Sequence, residues 1–582
     1  MSLLSPSLAA LTPFFSATPP PIAHVAVDYT AILPELVCIG GALLLLLMSA
    51  MSVRQISTTT YTVATLVIAG GALGCSIELW NKVVQNGPFT AIAKSLDIDG
   101  FSVAFVILAS CILVVAALVA DGYLRREGIA GPEYYALALL AASGAMFMAA
   151  ANDLIVIFIG LEIMSLPLYI LAGFDQRRAE SGEASMKYFV LGAFSSAIFV
   201  YGIALTYGAT GSTNLAEIAT YLANNVITSN GLLLAGLALL LVGFGFKIAA
   251  VPFHMWTPDV YQGAPTPATG FMAAIAKVGG FAALLRVFFS TFHSLTLDWQ
   301  PLLWALAIVT LLVGAVLGLV QRDIKRMLAY SSINHAGFIL LGLQAASVAG
   351  IAASLYYVFV YAFLVLGSFT VVALVSGRGD SDHDLEAYRG LGARRPLLAL
   401  AFAILLLAQA GAPFTTGFLA KLYVVQSAVR AHSYALAVIA MLSGAIAAAF
   451  YLRVVFLMYG SRTAGAGPED AEGASLLGVP AIAAPAPAAI APASIAAAGG
   501  IARAGGAARA GGAAGVAAAA QGAVAVEVAV ADEAEPVAAV PTTIEFPAGV
   551  ELGLVLTVGF TVVFGIWPGP LFAFVHAAGL LF

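Results

Sequence analysis

The sequence predicts an all-α polytopic membrane protein with about 14 transmembrane helices, arranged as two inverted repeats that each contain a proline-broken helix. Two bulk observations exclude a water-soluble globular protein: 61% of the 582 residues are hydrophobic and only 9% are charged, whereas about 25% of residues in soluble domains carry a charge. The third observation is a series of apolar runs of roughly 20 residues, the length that crosses a bilayer as a helix.

Fourteen apolar runs, separated by polar segments or by glycine and proline, define the predicted helices. They cover residues 31–51, 60–80, 100–120, 133–150, 153–173, 185–208, 231–250, 266–290, 301–320, 325–346, 350–376, 396–427, 434–459 and 549–575. Two runs are interrupted: the seventh breaks at Pro252 and continues in a short piece to about Gln262, and the twelfth breaks around residues 411–413.

Positive residues are distributed unevenly between the loops. The odd-numbered loops carry twelve of them: Arg54, Arg125, Arg126, Arg177, Arg178, Arg322, Lys325, Arg326, Arg378, Arg389, Arg394 and Arg395. The even-numbered loops carry only Lys82, Lys94 and Arg430. Because cytoplasmic loops are enriched in lysine and arginine, we expect the odd loops in the cytoplasm and, with 14 spans, both termini on the periplasmic side.

Two segments do not fit the helical pattern. Residues 1–30 are rich in proline and contain no Lys or Arg, so they lack the positive region of a signal peptide. We expect either a disordered tail or a start codon assigned too early. Residues 463–543 are rich in Ala, Gly and Pro and are expected to form a low-complexity cytoplasmic linker. The alternative is one hidden span, which would invert the final helix.

The two interrupted helices suggest an internal repeat. Pro252-Phe253 and Pro413-Phe414 mark the two breaks, and paired interrupted helices point to a transport site near the bilayer midplane. Five spans in each repeat would make the second repeat inverted. The expected organisation is therefore a tail (1–30), three helices (31–132), a first repeat (133–293), a second repeat (301–460), the linker (463–543) and a last helix (549–575).

Charged residues inside the spans are the main functional signal, because a lysine at the centre of a membrane helix costs about 2.5–3.5 kcal/mol on insertion scales. Lys247 and Lys277 flank the first break. Glu162 lies near mid-membrane in its span and needs a partner, for which Lys187 and Lys247 are the candidates. This arrangement is either a static ion pair or a pair in which movement or protonation of the carboxylate makes the lysine release its proton.

Two further lysines extend this polar line. Lys277 lies about mid-span with no carboxylate in its own helix, and Lys421 follows the second break; we expect both to carry protons. His254 lies beside the first break and either relays protons or orders water, or is a structural hydrogen-bonding residue. His335 could orient water in its span. Arginine holds its proton too firmly to carry one. Arg286 and Arg453 lie near the ends of their spans and are expected to snorkel to the membrane interface or to pair with loops.

The sequence also excludes several kinds of chemistry. Cys38, Cys75 and Cys111 lie in apolar runs without metal-ligand spacing, so iron–sulfur and zinc sites are not expected. The chain has no phosphate-binding glycine loop, no nucleophile elbow and no basic tract for nucleic acid. A sugar or amino-acid site needs several hydrogen-bonding side chains, whereas protons need only titratable groups and water. We therefore expect no metal and no cofactor in this chain.

Four segments together resemble a known family. They are KIAAVPFHMWTPDVYQGAPTPATGF (247–271), RDIKRMLAYSSINHAGFILLG (322–342), GLEIMSLPLYIL (160–171) and DLEAYRGLGARRP (384–396). They are similar to the antiporter-like membrane subunits of respiratory complex I, the proton-pumping NADH:quinone oxidoreductase. The family also includes Mrp-type sodium/proton antiporter subunits and membrane-bound hydrogenase subunits, which remain the alternatives. The second break, GAPFTTGF, lacks a second proline that the family commonly has.

The resemblance implies roles and partners. It implies that Glu162 and Lys247 form a modulating pair, that Lys277 is the central relay, that Lys421 is the outlet, and that Lys187 is a further charged position. It implies a translocase subunit of the bacterial inner membrane without redox chemistry of its own. NADH, flavin, iron–sulfur clusters and quinone would then belong to partner subunits. The expected partners are other membrane subunits, the lipid bilayer, protons and internal water.

Overall fold

The computed structural model describes residues 27–52, 56–129, 131–225, 230–460 and 548–578. Most of the predicted tail (1–30) and the whole predicted linker (463–543) lie outside the described residues. The described helices are α1 (Leu33–Met51), α2 (Thr58–Asn86), α3 (Gly100–Glu127), α4 (Glu133–Ala150), α5 (Leu154–Ala172), α6 (Ala179–Thr210), α7 (Leu215–Asn224), α8 (Gly231–Ile248), α9 (Trp256–Gly263), α10 (Thr266–Arg286), α11 (Thr296–Leu319), α12 (Ile324–Gln344), α13 (Val348–Val375), α14 (Leu391–Arg394), α15 (Pro396–Ala410), α16 (Thr416–Arg430), α17 (Tyr434–Tyr459), α18 (Ala548–Ile566) and α19 (Gly569–Ala577).

The predicted helical membrane architecture is confirmed. Among the described residues, 12 helices are long and apolar enough to cross a membrane. The other two predicted spans correspond to α12, whose polar side chains lower its hydropathy, and to the broken pair α15 and α16. The seventh predicted span is likewise a broken pair, α8 and α9.

The repeats are visible in the order of the elements. The first repeat consists of α4, α5, α6, the broken pair α8 and α9, and α10. The second consists of α11, α12, α13, the broken pair α15 and α16, and α17. In both repeats the fourth span is the broken one, so the two breaks occupy equivalent positions.

Several short elements escaped the sequence analysis. A two-stranded antiparallel hairpin, β1 (Phe89–Ala91) and β2 (Leu96–Ile98), precedes α3, and the amphipathic helix α7 follows α6. The last predicted span, 549–575, is in fact two helices, because Pro568 follows the end of α18 and proline cannot continue the helical hydrogen bonding.

Helix α10 is the central element of the described structure. All 21 of its residues are buried, and it packs against α3, α4, α5, α8 and α13. Small residues permit this close packing: a side chain added at Gly270 would meet Cβ of Phe369 at 2.8 Å. Lys277 is therefore carried on a helix that is surrounded by protein on every side.

Both ends of α10 are fixed by buried carboxylates from other segments. At its first residue, the backbone N–H and hydroxyl of Thr266 donate to Asp380 at 3.0 and 2.6 Å. At its last residue, the Arg286 guanidinium donates to both oxygens of Asp99 at 3.0 and 2.8 Å. A carboxylate near a helix N-terminus and a cation near its C-terminus both complement the helix dipole. The expectation that Arg286 pairs with a loop agrees with this geometry.

Candidate functional site

The first helix break exposes a backbone carbonyl to a buried lysine. Helix α8 ends at Ile248 because Ala249 adopts a left-handed conformation with φ of 59° and its N–H bonds back into the last turn. Trp256 donates from Nε1 to the carbonyl of Phe246 at 3.0 Å. The carbonyl of Ile248 accepts a hydrogen bond from Nζ of Lys277. Lys277 itself is only 2% exposed.

The second break uses the same chemistry. Helix α15 ends at Ala410, where Gly411 has a φ of +91°. Nζ of Lys421 donates to the carbonyls of Gln409 and Ala410 at 2.8 and 2.9 Å and lies 5.1 Å from the ring centroid of Phe338. The last carbonyls of a helix carry partial negative charge, so each break forms an acceptor site for an ammonium group.

The two sites differ in the origin of the lysine. Lys277 comes from α10, the helix that follows the broken pair, whereas Lys421 comes from α16, the second half of the broken pair itself. Lys247 lies one residue before the end of α8 and uses other acceptors. The repeats thus share the break but place their lysines differently.

Lys247 and Glu162 lie near each other without a direct ion pair. Nζ of Lys247 donates to the Ser165 hydroxyl at 2.8 Å and to the Tyr188 hydroxyl at 3.4 Å. Glu162 is partly buried and accepts from the Ser196 hydroxyl at 2.5 Å. A cavity of about 10 Å³, bordered by the two serines and Lys247, is close to the smallest volume that holds one water molecule. The two serines therefore lie between Glu162 and Lys247, and control of the lysine by the carboxylate stays a prediction.

Lys187 lies apart from this pair. Its Nζ contacts Glu183 at 2.7 Å and Asp259 at 2.8 Å, and Asp259 also accepts from Arg326 at 2.8 Å. Of the two partners predicted for Glu162, Lys187 is thus paired with other carboxylates.

His254 is half-buried beside the break, and its Nδ1 has no hydrogen-bond partner among the described residues.

A set of polar side chains that the sequence analysis largely missed lies between Lys277 and Lys421. His335 is buried, with Nδ1 at 2.8 Å from the Tyr357 hydroxyl and Nε2 at 3.3 Å from the Tyr451 hydroxyl. The Ser331 hydroxyl bonds to Tyr451 and donates to the Gln409 side chain at 3.1 Å. Gln409 also supplies one of the carbonyls that bind Lys421, so the set reaches the second site.

The missed residues gave weak signals in the sequence. Tyrosine and serine are ordinary in membrane helices, since a serine hydroxyl can bond to its own helix. Gln409, in the run LLLAQAG, was the one amide in an otherwise apolar segment and could have been singled out. For His335 the sequence predicts only a group that could orient water.

The described residues contain no group of three or more His, Cys, Asp or Glu side chains that could hold a metal ion. What the arrangement offers is a row of titratable nitrogens joined by hydroxyls and backbone carbonyls. Such a row can pass protons.

Comparison with known proteins agrees with this chemistry. Residues 151–447 match the family model for the NADH:quinone oxidoreductase/Mrp antiporter membrane domain. The chain is 43% identical over 435 residues to NADH-quinone oxidoreductase subunit N of Trichlorobacter lovleyi, covering 74% of this chain and 88% of that protein. The subunit N of Acidothermus cellulolyticus is 41% identical over 476 residues, covering 78% of this chain and 91% of that protein.

The fold has a counterpart among solved structures. A chain of respiratory complex I from Thermus thermophilus superposes with a TM-score of 0.67 at 29% identity, covering 94% of this chain and 100% of that chain. A chain of the Mrp complex from Dietzia superposes with a TM-score of 0.71 at 19% identity, covering 94% of this chain and 97% of that chain. The second likeness concerns the fold alone.

Proposed function

Because this chain belongs to the NADH:quinone oxidoreductase/Mrp antiporter family, within the group of subunit N proteins, we propose that it conducts protons across the membrane as one subunit of an NADH:quinone oxidoreductase. The observation that supports this most directly is the pair of helix breaks, each of which presents backbone carbonyls to a buried lysine. The chain is a translocase subunit, and the oxidation of NADH and the reduction of quinone take place in partner subunits.

The proposed relay runs along the middle of the membrane. Lys247 is the first proton carrier, and the charge of Glu162 controls it. Lys277 is the central carrier, His335 with its tyrosine partners links the two repeats, and Lys421 is the outlet. His254 orders water at the first break. Lys187 lies near the charged loops, and it pairs with Asp259 rather than with Glu162.

The orientation follows from the loops. The arginine-rich odd loops then face the cytoplasm of a bacterial cell, in whose inner membrane the chain resides, and with 14 spans both termini face the periplasm. Lys421 then releases protons toward the periplasm. NADH, flavin, iron–sulfur clusters and quinone are assigned to the partner subunits.

Sodium/proton exchange is the second candidate function, since Mrp complexes share the fold. The acceptor groups argue against it. A sodium site favours carboxylates and free carbonyls, whereas here the carbonyls freed by the breaks are bound by lysine ammonium groups.

Membranes from cells that lack this chain separate the two functions. In sealed vesicles, we expect loss of NADH-driven proton uptake without any change in sodium/proton exchange, and recovery when the chain is restored. If the cells instead lose sodium tolerance while their membranes keep NADH-driven pumping, the exchange function is correct.

A further inference from the structure

A cavity of about 1070 Å³ opens between the two repeats, where the loops after α5, α11 and α13 meet. Most of the charged groups on its wall are held in ion pairs. Lys187 and Arg326 both contact Asp259 at 2.8 Å, and Arg178 contacts Asp380 at 3.2 Å. Groups paired in this way favour their charged forms, so they are poorly suited to exchange protons with the water of the cavity.

His383 differs from these groups. It lines the cavity and is only 7% exposed. Neither of its ring nitrogens has a hydrogen-bond partner among the described residues, although the Asp380 carbonyl faces the ring. Nε2 lies 3.6 Å from Oδ1 of Asp380. Both nitrogens are shielded from solvent in this structure. A water molecule that enters beside the ring would let a neutral imidazole accept a proton at one nitrogen and release one from the other, which would join the cavity to the interior.

Burial is the main reason that the neutral ring of His383 is favoured at pH 7. Burial, together with the positive charges of Lys325 and Arg178, lowers the pKa of the His383 imidazole to about 4, although Asp380 acts in the opposite direction. Asp323 and Asp384 also line the cavity. Although burial opposes it, the neighbouring cations hold the pKa of Asp380 below its usual range. Asp380 therefore stays ionised and can stabilise the imidazolium that forms when His383 takes up a proton.

Polar groups continue inward from this cluster along α12. Nζ of Lys325 lies 3.5 Å from Asp380 and donates to the Ala264 carbonyl at 2.6 Å. Lys325, Ser332 and His335 are spaced by seven and three residues, which places them on one side of the helix. The hydroxyls of Ser332 and Tyr361 are 2.7 Å apart, and the rings of Tyr361 and His335 have centroids 5.4 Å apart. The series ends at the histidine that lies between the two lysine sites.

We propose that this cavity is a proton-loading mouth, in which His383 takes protons from the surrounding water and passes them inward along α12 toward His335. A hydronium ion in the cavity breaks one O–H bond as an N–H bond forms on the imidazole, and the proton on the opposite nitrogen leaves to a bridging water. This entry joins the relay between Lys277 and Lys421 without passing Lys247. The inference rests on the proposed proton conduction.

The test uses inside-out vesicles that contain the assembled complex, with NADH-driven proton uptake as the readout. In His383→Ala, we expect uptake to fall by about 10-fold or more, since a positioned proton-transfer group typically contributes at least that much. Added imidazole enters the large cavity and restores uptake. A series of methylimidazoles restores it in proportion to their basicity, which a purely structural loss would not produce. His383→Gln, which keeps a polar side chain, shows the same loss if His383→Ala does not assemble.

The control is His432→Ala, because the His432 side chain is exposed beyond α16 and its hydrogen bond is to the neighbouring Tyr434 hydroxyl at 2.9 Å; this variant should pump normally. Full pumping in both His383 variants, or a loss that no imidazole restores, overturns the loading mouth. Lys277→Ala measured in the same vesicles keeps the two proposals distinct. If Lys277→Ala stops pumping while the His383 variants do not, only the loading mouth is wrong; if neither change affects pumping, proton conduction by this chain is wrong as well.

Discussion

At the scale of single residues, the buried lysines are bound mainly by neutral groups. Lys277 donates to one backbone carbonyl, Lys421 to two, and Lys247 to hydroxyls. A buried ammonium in an ion pair leaves an uncompensated carboxylate when it loses its proton, which costs about 3–5 kcal/mol. With neutral acceptors that penalty is absent, so these three lysines can release protons at a lower cost than paired ones.

The gap between Glu162 and Lys247 leads to a specific prediction. Glu162→Gln keeps a group that can bond to Ser196 and removes only the charge, so the lysine loses its electrostatic support. We expect NADH-driven proton uptake to fall at least about fivefold, the lower end of typical coupling between sites. Ser196→Ala is the matched control, because it removes the 2.5 Å hydrogen bond and keeps the charge. Equal losses in the two variants would mean that the hydrogen bond, not the charge, is what matters.

The charged members of the site could be predicted from the sequence, and their partners could not. Lys277 and Lys421 were identified because a charge inside an apolar run is costly. The carbonyls of Ile248 and Gln409 could not be identified, since every residue has a carbonyl and only the exact end of each helix shows which one is free. The linking role of Tyr357 and Tyr451 depends on distances across three helices, which spacing along one chain does not reveal.

At the scale of elements, a helix that ends inside the membrane is a binding site for a cation. Its last carbonyls have no partners within the helix, and lipid cannot supply any. In this chain the same device occurs at α8 and α15, the fourth span of each repeat. An ammonium group at each break satisfies these carbonyls, which gives a physical reason for two lysines at the centre of an otherwise apolar structure.

Gly411 is the residue on which the second break depends. Its φ is +91°, and a Cβ there would lie 3.1 Å from Cδ of Lys421. We expect Gly411→Ala to destabilise this region by roughly 1–2 kcal/mol, the cost of a left-handed conformation for a residue with a side chain, and to displace Lys421. Thermal denaturation of the purified complex and NADH-driven pumping measure the two effects.

Gly74→Ala is the control for this change, because Gly74 lies within α2 and an added Cβ would meet nothing within 4 Å. Alanine is favoured over glycine in a helix by roughly 0.5–1 kcal/mol, so this variant should be neutral or slightly more stable. A Gly411→Ala protein that is as stable and as active as Gly74→Ala would disprove the role given to the break.

The long elements followed from the sequence, and the short ones did not. All fourteen runs are helical because their apolar length dictates it. The hairpin β1–β2 has only three residues in each strand, which is too short for an alternating pattern to stand out. The sequence predicts a single span across α18 and α19, because both helices are apolar and only the Trp567-Pro568 step lies between them.

At the scale of the whole molecule, the arginine-bearing loops after α5, α11 and α13 meet around one cavity, which places these three loops on the same side of the membrane. This arrangement predicts the accessibility of introduced cysteines. Ser381 and Ala216 are both exposed, one beside the cavity and the other on α7 in an even-numbered loop. In sealed inside-out vesicles, a membrane-impermeant maleimide should label Ser381→Cys and leave Ala216→Cys unlabelled. The reverse pattern would show that the orientation inferred from the positive residues is wrong.

The central claim is that protons move through Lys277, and replacing it with arginine tests this claim most directly. Arginine keeps the positive charge and the ability to bond to the Ile248 carbonyl, and it does not release its proton. In vesicles with fully assembled complex, we expect NADH-driven proton uptake to be lost in Lys277→Arg as completely as in Lys277→Ala. If Lys277→Arg pumps at the normal rate, Lys277 serves only as a fixed charge, and the relay proposed here is contradicted.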